Sequence, residues 1–319
     1  MRLQITHETL YDYAPPVDVA QHIACLQPMN SCCQDLLSHH LEVTPVPSQH
    51  KTTRDVFGNT RTFISLQIPH EQLKVIAIST VDTRSRPAPP DDLPWEQVRE
   101  HYGYSAGASY DANAEFVFPS PYVPRHAKFA DYARASFTPG TGLLAACADL
   151  MHRIHADFTY DSESTEIHTP ALQALEQRKG VCQDFAHIML ACLRSLGLAT
   201  RYVSGYLLTH PAPGRPRLIG QDASHAWVSV ALPGFDADNG WFDFDPTNDR
   251  WGWGTPGEDY VLLAIGRDFS DVSPIRGVIH GGANHELVVA VTVTPVDESD
   301  DTPPHAGHPA PILPALDPT

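Results

Sequence analysis

The chain has 319 residues, of which 42% are hydrophobic and 18% are charged, so it can bury a sizeable core and is not globally disordered. This length predicts about two domains of ordinary size. The formal net charge of -17 argues against nucleic acid and anionic membrane surfaces as partners. The sequence contains no apolar run long enough for a membrane-spanning helix, and its opening run MRLQITHETLYDY lacks the apolar segment of a secretory signal, so we expect a cytoplasmic protein.

The cysteines show no regular disulfide framework. Two of them, Cys32 and Cys33, are adjacent in the chain, which is poor geometry for an ordinary disulfide. We therefore expect all six to be thiols in a reducing cytosol. They are Cys25, Cys32, Cys33, Cys147, Cys182 and Cys192.

The first quarter of the chain alternates apolar and polar residues with the period of a strand. This pattern is found in Leu3–Thr6, Thr62–Ile68 and Leu73–Ser79, and a turn signal lies at residues 55–59. Short strands with frequent turns favour a sandwich over a parallel sheet. We predict a β-rich, sandwich-like domain over residues 1–86, followed by a linker or irregular connection over residues 87–126.

From residue 127 onward the pattern becomes helical and then returns to strands. Helices are predicted at about 143–155, 170–177 and 183–196, with Gly197 as the stop of the last one. Turn signals then separate the strand candidates 201–208, 225–232 and 241–245, and a later strand is predicted at 287–294. Residues 296–319 are acidic and rich in proline, so we expect a disordered tail there.

Cys182 lies where a reactive thiolate would be stabilised. The run Gly180-Val181-Cys182 places it at the start of a predicted helix, where free N–H groups and the helix dipole favour negative charge. Read by itself, Cys182 could equally be a buried structural cysteine, which is the common fate of a free thiol.

A base and an orienting acid follow on two predicted strands. His225 opens the strand SHAWVSV, and Asp245 ends the strand WFDFD just before a proline. The order of nucleophile, base and acid on a helix and two neighbouring strands suits cysteine-based acyl chemistry. Asp243 has the same strand parity as Asp245 and is its local rival. Individually, His225 could be a packed or surface histidine, and Asp245 could simply form an Asp-Pro turn.

Three runs together resemble the transglutaminase-like superfamily, specifically its bacterial cysteine peptidases. They are GVCQDFAHIMLACLRSLGLATRYVSGYL, SHAWVSV and WFDFDPTND, and the earlier runs YDYAPPV, DVFGN and LQIPHEQLKVIAIST are similar to the β-rich domain that precedes this family's core. The resemblance implies an α+β fold in which the nucleophile helix packs on an antiparallel sheet. It implies a core with its C-terminal strands over residues 127–295, and a catalytic triad of Cys182, His225 and Asp245.

The activity that this resemblance implies is hydrolysis or acyl transfer at amide bonds through a thioester on Cys182. A peptide or another amide-containing molecule would be the substrate, with hydrolysis ahead of cross-linking because nothing in the sequence provides a dedicated amine site. The backbone N–H of Cys182 is one expected oxyanion donor, and Tyr160 is a weak candidate for the second. The alternative is a binding or scaffold protein that kept this fold without catalysis. The oligomeric state is left open.

Neither a cofactor nor a metal is predicted. The sequence contains no glycine-rich phosphate-binding motif. The histidine pairs at residues 39–40 and at 152 and 155 lack the acidic or cysteine neighbours of a zinc site. Asp184 on the nucleophile helix is expected to point away from Cys182 and to bind backbone or an arginine, because a facing acid would disfavour the thiolate.

Overall fold

The structure is a computed structural model that describes residues 1–87, 92–103, 106–107, 111–161, 169–209, 224–235, 240–282 and 284–296. It is an α+β protein, so the predicted fold class is confirmed. Apart from residue 296, the predicted tail lies outside the described residues. Among the helices that are described, none has the length and apolar character needed to cross a membrane.

Strands and helices alternate only in the second half of the chain. In chain order the elements are β1 (Arg2–Ala24), β2 (Gln34–Thr44), β3 (Gln49–Arg54), β4 (Thr60–Leu66), β5 (His70–Thr83), α1 (Trp95–His101), a 3-10 helix (Ala112–Val117), α2 (Ala127–Ala133), α3 (Leu143–Asp157), β6 (Thr159–Tyr160), α4 (Ala171–Gln177), β7 (Lys179–Gly180), α5 (Cys182–Ser195), β8 (Thr200–Leu207), β9 (Ser224–Ala231), β10 (Trp241–Asp245), β11 (Arg250–Trp253), β12 (Tyr260–Gly266), α6 (Phe269–Val272), β13 (Ile275–Gly281) and β14 (Asn284–Pro295).

The N-terminal sheet is organised around the long strand β1. The strand order is β2-β5-β1-β4-β3, and β13 and β14 also pair with β1. The first part of β1 pairs with β5 and β14, whereas its last part pairs with β4 and β13. Strand β1 therefore links β5 and β14 in one part of the sheet to β4 and β13 in the other. Apolar side chains of β4, such as Ile64 and Leu66, form one buried cluster with Leu73 and Val75 of β5.

The C-terminal strands complete this N-terminal sheet. The sequence grouped them with the core over residues 127–295, but β13 and β14 are antiparallel partners of β1. For example, Ile5 lies opposite Val293, and both side chains are buried. The pairing depends on contacts between residues almost a chain length apart, which local periodicity cannot reveal.

The segment predicted as a linker or irregular connection, residues 87–126, also contributes to the core. It contains α1 and the 3-10 helix, and Trp95, Val98 and Phe116 belong to the main apolar cluster. The indole N–H of Trp95 donates to the carbonyl of Thr138 at 3.0 Å. This part of the chain is therefore packed against the helical layer.

Helix α5 lies at the centre of the second half of the molecule. It contacts β8 and β9 of an antiparallel sheet with the order β11-β10-β9-β8-β12, and it also contacts α2, α3 and α4. Every residue from Asp184 to Arg194 is buried. Gly197 follows the helix with a φ of 86°, a conformation that suits glycine as the predicted stop. The predicted packing of the nucleophile helix on an antiparallel sheet is confirmed.

Buried polar side chains join the N-terminal sheet to the strands of the core. The Asn59 amide donates to the carbonyl of Ile265 at 2.7 Å and accepts from its N–H at 2.9 Å. Gln34 makes a similar pair of hydrogen bonds with the backbone of Leu262 at 2.8 Å each. These side chains bind strand β12 much as another strand would, and they fix the first domain on the core.

Candidate active site

The backbone around Cys182 is shaped by a helix cap. Val181 precedes α5 in an extended conformation, and its N–H donates to Asp184 Oδ2 at 2.9 Å. A Cβ at Gly180 would lie 2.6 Å from that same carboxylate oxygen, so a side chain there would collide with the cap. Asp184 therefore binds backbone, as the sequence predicted, and Cys182 occupies the first turn of α5 with its side chain half-buried.

The three residues predicted as a triad are brought together in space. His225 Nε2 lies 2.7 Å from Asp245 Oδ2, and the imidazole also forms a hydrogen bond with the Cys182 side chain. Because Nε2 faces the carboxylate, Nδ1 is the ring nitrogen left for the sulfur. We call this arrangement the Cys–His–Asp row. Its histidine is 6% exposed and its aspartate 0%.

Asp245 is held by several further donors. The hydroxyl of Tyr260 and the amide of Asn248 each donate to Oδ2 at 2.7 Å, and the N–H of Thr247 donates to Oδ1 at 2.9 Å. Burial by itself would raise the pKa of this carboxyl, but the hydrogen bond and charge of His225, followed by the bonds from Asn248 and Tyr260, keep it below its usual range. Asp245 is therefore an ionised acid in a fixed orientation.

The two side-chain donors, Asn248 and Tyr260, were missed by sequence reasoning. Asn248 lies in the run WFDFDPTND, where its spacing from Asp245 was available as a signal but was not used. Tyr260 lies on β12, at the opposite edge of the sheet from β11, and no local pattern marks it. The Asn248 amide nitrogen also lies 3.2 Å from His225 Nε2, so it touches both partners.

The environment of His225 favours its charged form. Burial by itself would lower the pKa of the imidazole, but the hydrogen bonds and charges of Asp245 and Cys182 outweigh it and raise the pKa to about 10. The histidine therefore holds a proton at neutral pH when it faces the sulfur and the carboxylate. Such an imidazolium stabilises a neighbouring thiolate.

Asp243, the local rival of Asp245, has a different set of partners. The Ser229 hydroxyl donates to its carboxylate. Its side chain is buried, and burial raises the pKa of the carboxyl despite the charge of Arg201 and the bond from Ser229. The geometry thus separates the two acids, since it is Asp245 that bonds to the imidazole.

Two exposed aromatic side chains, Tyr160 and Trp251, belong to the half of the molecule that holds the Cys–His–Asp row. Tyr160 is 55% exposed, and its pKa is raised by partial burial and by the charge of Cys182, which places the phenol within electrostatic reach of the sulfur. Trp251 is 39% exposed and stacks on Phe244, the residue before Asp245, with 5.6 Å between ring centres.

The other histidine of α5, His187, is packed in the interior. Its ring stacks on Tyr122 at 5.3 Å, and its Nε2 accepts from the N–H of Phe269 at 3.3 Å. Burial lowers its pKa to about 3, so it is neutral. Within the part of the chain that the structure describes, there is no group of three or more histidine, cysteine or acidic side chains arranged for a metal ion.

Comparison with known families identifies both halves of the chain. Residues 127–246 match the transglutaminase-like superfamily, and residues 3–82 match the bacterial transglutaminase-like N-terminal region. An uncharacterized protein of Mycobacterium tuberculosis strain H37Rv is 38% identical over 303 residues, which cover 93% of each chain. The chain belongs to the transglutaminase-like superfamily, as the resemblance predicted.

Two further proteins are similar to this chain, one in its fold and the other in the sequence of part of the core. A crystal structure from Cytophaga hutchinsonii, described as that of a putative cysteine protease, matches with a TM-score of 0.70 and 22% identity, and the match covers 95% of this chain and 93% of that one. This likeness shows the fold. A protein-glutamine gamma-glutamyltransferase of Pseudomonas aeruginosa is 30% identical over 128 residues, which are 39% of this chain and 18% of that protein.

Proposed function

We propose that this protein is a cysteine-dependent hydrolase or acyltransferase that cleaves amide bonds through a thioester on Cys182. The observation that carries the proposal is the continuous Cys–His–Asp row, in which a half-buried thiol contacts an imidazole that is bonded to an ionised, buried carboxylate. Such a row supplies a nucleophile, a proton carrier and an orienting group, which are the parts that acyl transfer requires.

In the first step the sulfur of Cys182 attacks the carbonyl carbon of the amide while its proton resides on His225. The C–N bond then breaks, the imidazolium gives its proton to the leaving amine, and a thioester to Cys182 remains. Water, deprotonated by His225, attacks this thioester and releases the acid. An amine in place of water would give amide exchange. Throughout both steps Asp245 holds the ring and stabilises its charged form.

The oxyanion of each tetrahedral intermediate needs donors close to the sulfur. We assign one donor to the backbone N–H of Cys182, because it belongs to the start of α5 where N–H groups lack helical partners. Loss of one such donor typically costs about 10²–10³ in turnover. The Tyr160 hydroxyl is our candidate for the second donor, because its side chain is exposed and the charge of Cys182 helps to raise its pKa.

Hydrolysis ranks ahead of amide exchange in this proposal. The sequence offers no dedicated amine site, and the Cytophaga hutchinsonii protein, which shares the fold over nearly the whole chain, is described as a putative cysteine protease. The Pseudomonas aeruginosa relative, whose name denotes glutamine acyl transfer, matches a shorter part of the core. We therefore place peptides or other amides as acyl donors and water as the first acceptor.

Trapping of the acyl donor is the direct test. The purified protein is incubated with cell-extract peptides, quenched in acid and analysed by mass spectrometry for adducts on residue 182. We expect a thioester adduct in the wild type that is absent in Cys182→Ala. Repeating the incubation with a small primary amine then separates the two acceptors, because hydrolysis releases free acids and exchange releases amides.

Thiol reactivity provides a control that does not depend on the natural substrate. In a Cys32→Ser background, which removes the other half-buried thiol, Cys182 should react with iodoacetamide at neutral pH much faster than the buried Cys25, Cys147 and Cys192. His225→Ala should slow this reaction. Equal rates at all remaining cysteines, together with no adduct in the trapping experiment, would favour a non-catalytic scaffold.

A further inference from the structure

A pair of thiols lies outside the Cys–His–Asp row, in the connection between β1 and β2. Cys32 Sγ and Cys33 Sγ are 3.7 Å apart, with Cys32 half-buried and Cys33 buried. The Cys33 thiol also donates to the carbonyl of Trp253 at 3.2 Å, which ties this connection to strand β11. The two sulfur atoms therefore lie side by side, and Cys33 contacts the core through the carbonyl of Trp253.

The space for the two sulfurs is created by a glycine. Gly254 follows β11 with a φ of 76°, and a Cβ there would lie 2.9 Å from Cys32 Sγ and 3.1 Å from Cys33 Sγ. Alanine at this position would be strained by the backbone and would press on both sulfurs. The backbone after β11 thus forms one wall of a site that fits two adjacent sulfur atoms.

Charged groups around the pair favour one thiolate. Arg86 lies with its guanidinium carbon 3.7 Å from the centre of the Trp253 ring and reaches Cys32. The hydrogen bond between the two sulfurs and then the contact with Arg86 outweigh partial burial and lower the pKa of Cys32, while the same hydrogen bond and burial raise the pKa of Cys33. Arg84 and Asp243 also face the pair, with opposite charges.

We propose that Cys32 and Cys33 form a redox-active dithiol that reacts with small-molecule disulfides and closes reversibly to a disulfide between the two adjacent residues. This activity is distinct from amide chemistry at Cys182 and does not depend on it. Cys32 is the attacking residue because it is the more exposed sulfur and lies beside Arg86. Cys33 is the resolving residue because it lies against Cys32.

The reaction consumes one small disulfide and releases two thiols. The Cys32 thiolate attacks one sulfur of the small disulfide, the S–S bond breaks, and the leaving thiolate takes a proton from solvent. Once Cys32 is in a mixed disulfide, its negative charge no longer holds the proton on Cys33. Cys33 then loses its proton to solvent and attacks Cys32, which expels the second thiol. Two electrons pass from the dithiol to the small disulfide.

Reversibility follows from the adjacency of the two residues. Their Cα atoms are about 3.8 Å apart across a trans peptide, which is shorter than the usual separation of about 4.4–6.8 Å in disulfides. A strained disulfide is readily reduced. The closed form should therefore return to the dithiol when excess small thiol is added.

The test uses the full chain with Cys182→Ala, which removes the active-site thiol, and oxidised glutathione as the probe. After incubation at neutral pH the remaining thiols are blocked, and peptide mass spectrometry locates each modification. We expect the peptide with Cys32 and Cys33 to lose two hydrogens without a lasting glutathione adduct, and to regain them with excess reduced glutathione. Replacing Cys33 with alanine should instead leave glutathione on Cys32.

A matched pair of arginine variants separates the role of Arg86 from a general charge effect. Arg86→Gln should slow the reaction of Cys32 at neutral pH by about tenfold, as expected for loss of a thiolate-stabilising cation. Arg99→Gln, which removes an exposed arginine placed over Trp95 with 4.9 Å from its guanidinium carbon to the ring centre, should leave the rate unchanged. Circular dichroism checks that each variant is folded.

Two results would overturn the proposal. One is a Cys32 that reacts with the probe no faster than the fully buried Cys192. The other is a parent protein that accumulates a stable glutathione adduct on Cys32 and forms no disulfide with Cys33. Because both results come from the parent protein, they remain decisive even if a Cys33 variant does not fold.

Discussion

Two buried histidines, one in the Cys–His–Asp row and one between the domains, are driven in opposite directions by their surroundings. His225 is 6% exposed and has Asp245 as a partner, and its pKa is raised to about 10. His7 is 1% exposed, and burial lowers its pKa to about 4. Its ring nitrogens lie 3.0 Å from the Tyr206 hydroxyl and 3.2 Å from the Thr9 hydroxyl.

The difference shows that the partner decides the charge of a buried histidine, and burial alone does not. Burial disfavours the imidazolium at both places. A carboxylate within hydrogen-bond distance reverses this effect at His225, whereas neutral hydroxyls at His7 do not. The Cys–His–Asp row therefore holds a proton in the interior, and the domain contact keeps a neutral ring that only packs and accepts or donates hydrogen bonds.

The largest effect is expected when the row loses its nucleophile or its proton carrier. Cys182→Ala and His225→Ala should each reduce release of the leaving group from an activated ester by at least about 10⁴-fold. Because the two residues act as a unit, the double variant should be no slower than either single variant. Stopped-flow absorbance measures the rate at which the ester releases its leaving group. Additive losses in the double variant would contradict a shared role.

The two acids of β10 offer a matched pair for the next effect. Asp245→Asn should lower turnover by about 10³–10⁴-fold, because it removes the charge that orients and stabilises His225. Asp243→Asn, which changes an acid bonded to Ser229 two positions away, should lower turnover less than about tenfold. Steady-state kinetics on the same ester measures both. Similar losses in the two variants would show that strand stability, and not the bond to His225, is responsible.

The pH dependence of stability should separate the two histidines. As pH falls from about 6.5 towards about 4, unfolded His7 takes up a proton that the folded protein refuses, so the free energy of unfolding should fall, by at most about 3 kcal/mol from this residue. His225 acts in the opposite sense. Its contribution is complete below its unfolded pKa of about 6.5 and is lost as pH rises towards about 10.

Urea unfolding at a series of pH values measures these slopes. His7→Gln should reduce the loss of unfolding free energy at acid pH. His22 and His39, whose pKa values burial also lowers to about 4, will still contribute to that loss. His225→Gln should reduce the loss of unfolding free energy as pH rises towards about 10. If the loss of unfolding free energy at acid pH is the same in His7→Gln as in the wild type, His7 already binds its proton in the folded protein.

The smallest effect is expected from the hydroxyl that supports Asp245. Tyr260→Phe removes one hydrogen bond to a buried charge and should cost about 1.5–3 kcal/mol of unfolding free energy. Turnover should fall by less than in Asp245→Asn, because the Asn248 amide and the Thr247 N–H still hold the carboxylate. Urea denaturation and ester kinetics measure the two quantities. A loss of turnover as large as that of Asp245→Asn would mean that Tyr260 is as necessary as Asp245 for orienting His225.

Much of the core fold could be predicted because its signals are local. The apolar residues of α5, the glycine that ends it and the alternation in β9 and β10 all lie within short windows, and the structure has these elements within one or two residues of the predicted ends. The order of Cys182, His225 and Asp245 along helix and strands was likewise visible in the sequence. Their catalytic roles stay a prediction until the trapping experiment is done.

What could not be predicted depends on residues far apart in the chain. The pairing of β14 with β1 joins the two ends of the described chain, and the packing of α1 hides inside a segment rich in proline and polar residues. The contact of Tyr260 with Asp245 crosses the sheet, and the nearness of Cys32 and Cys33 to Gly254 joins the first domain to the core. None of these contacts has a local pattern.

The sequence by itself determined the family, the α+β class and the three residues of the Cys–His–Asp row, because helix and strand periodicity and short motifs depend on neighbours along the chain. Only the tertiary structure decided which side chains keep Asp245 ionised and which groups surround the pair Cys32 and Cys33. These features depend on burial and on charges brought together from distant segments, and such free energies exist only in the folded molecule.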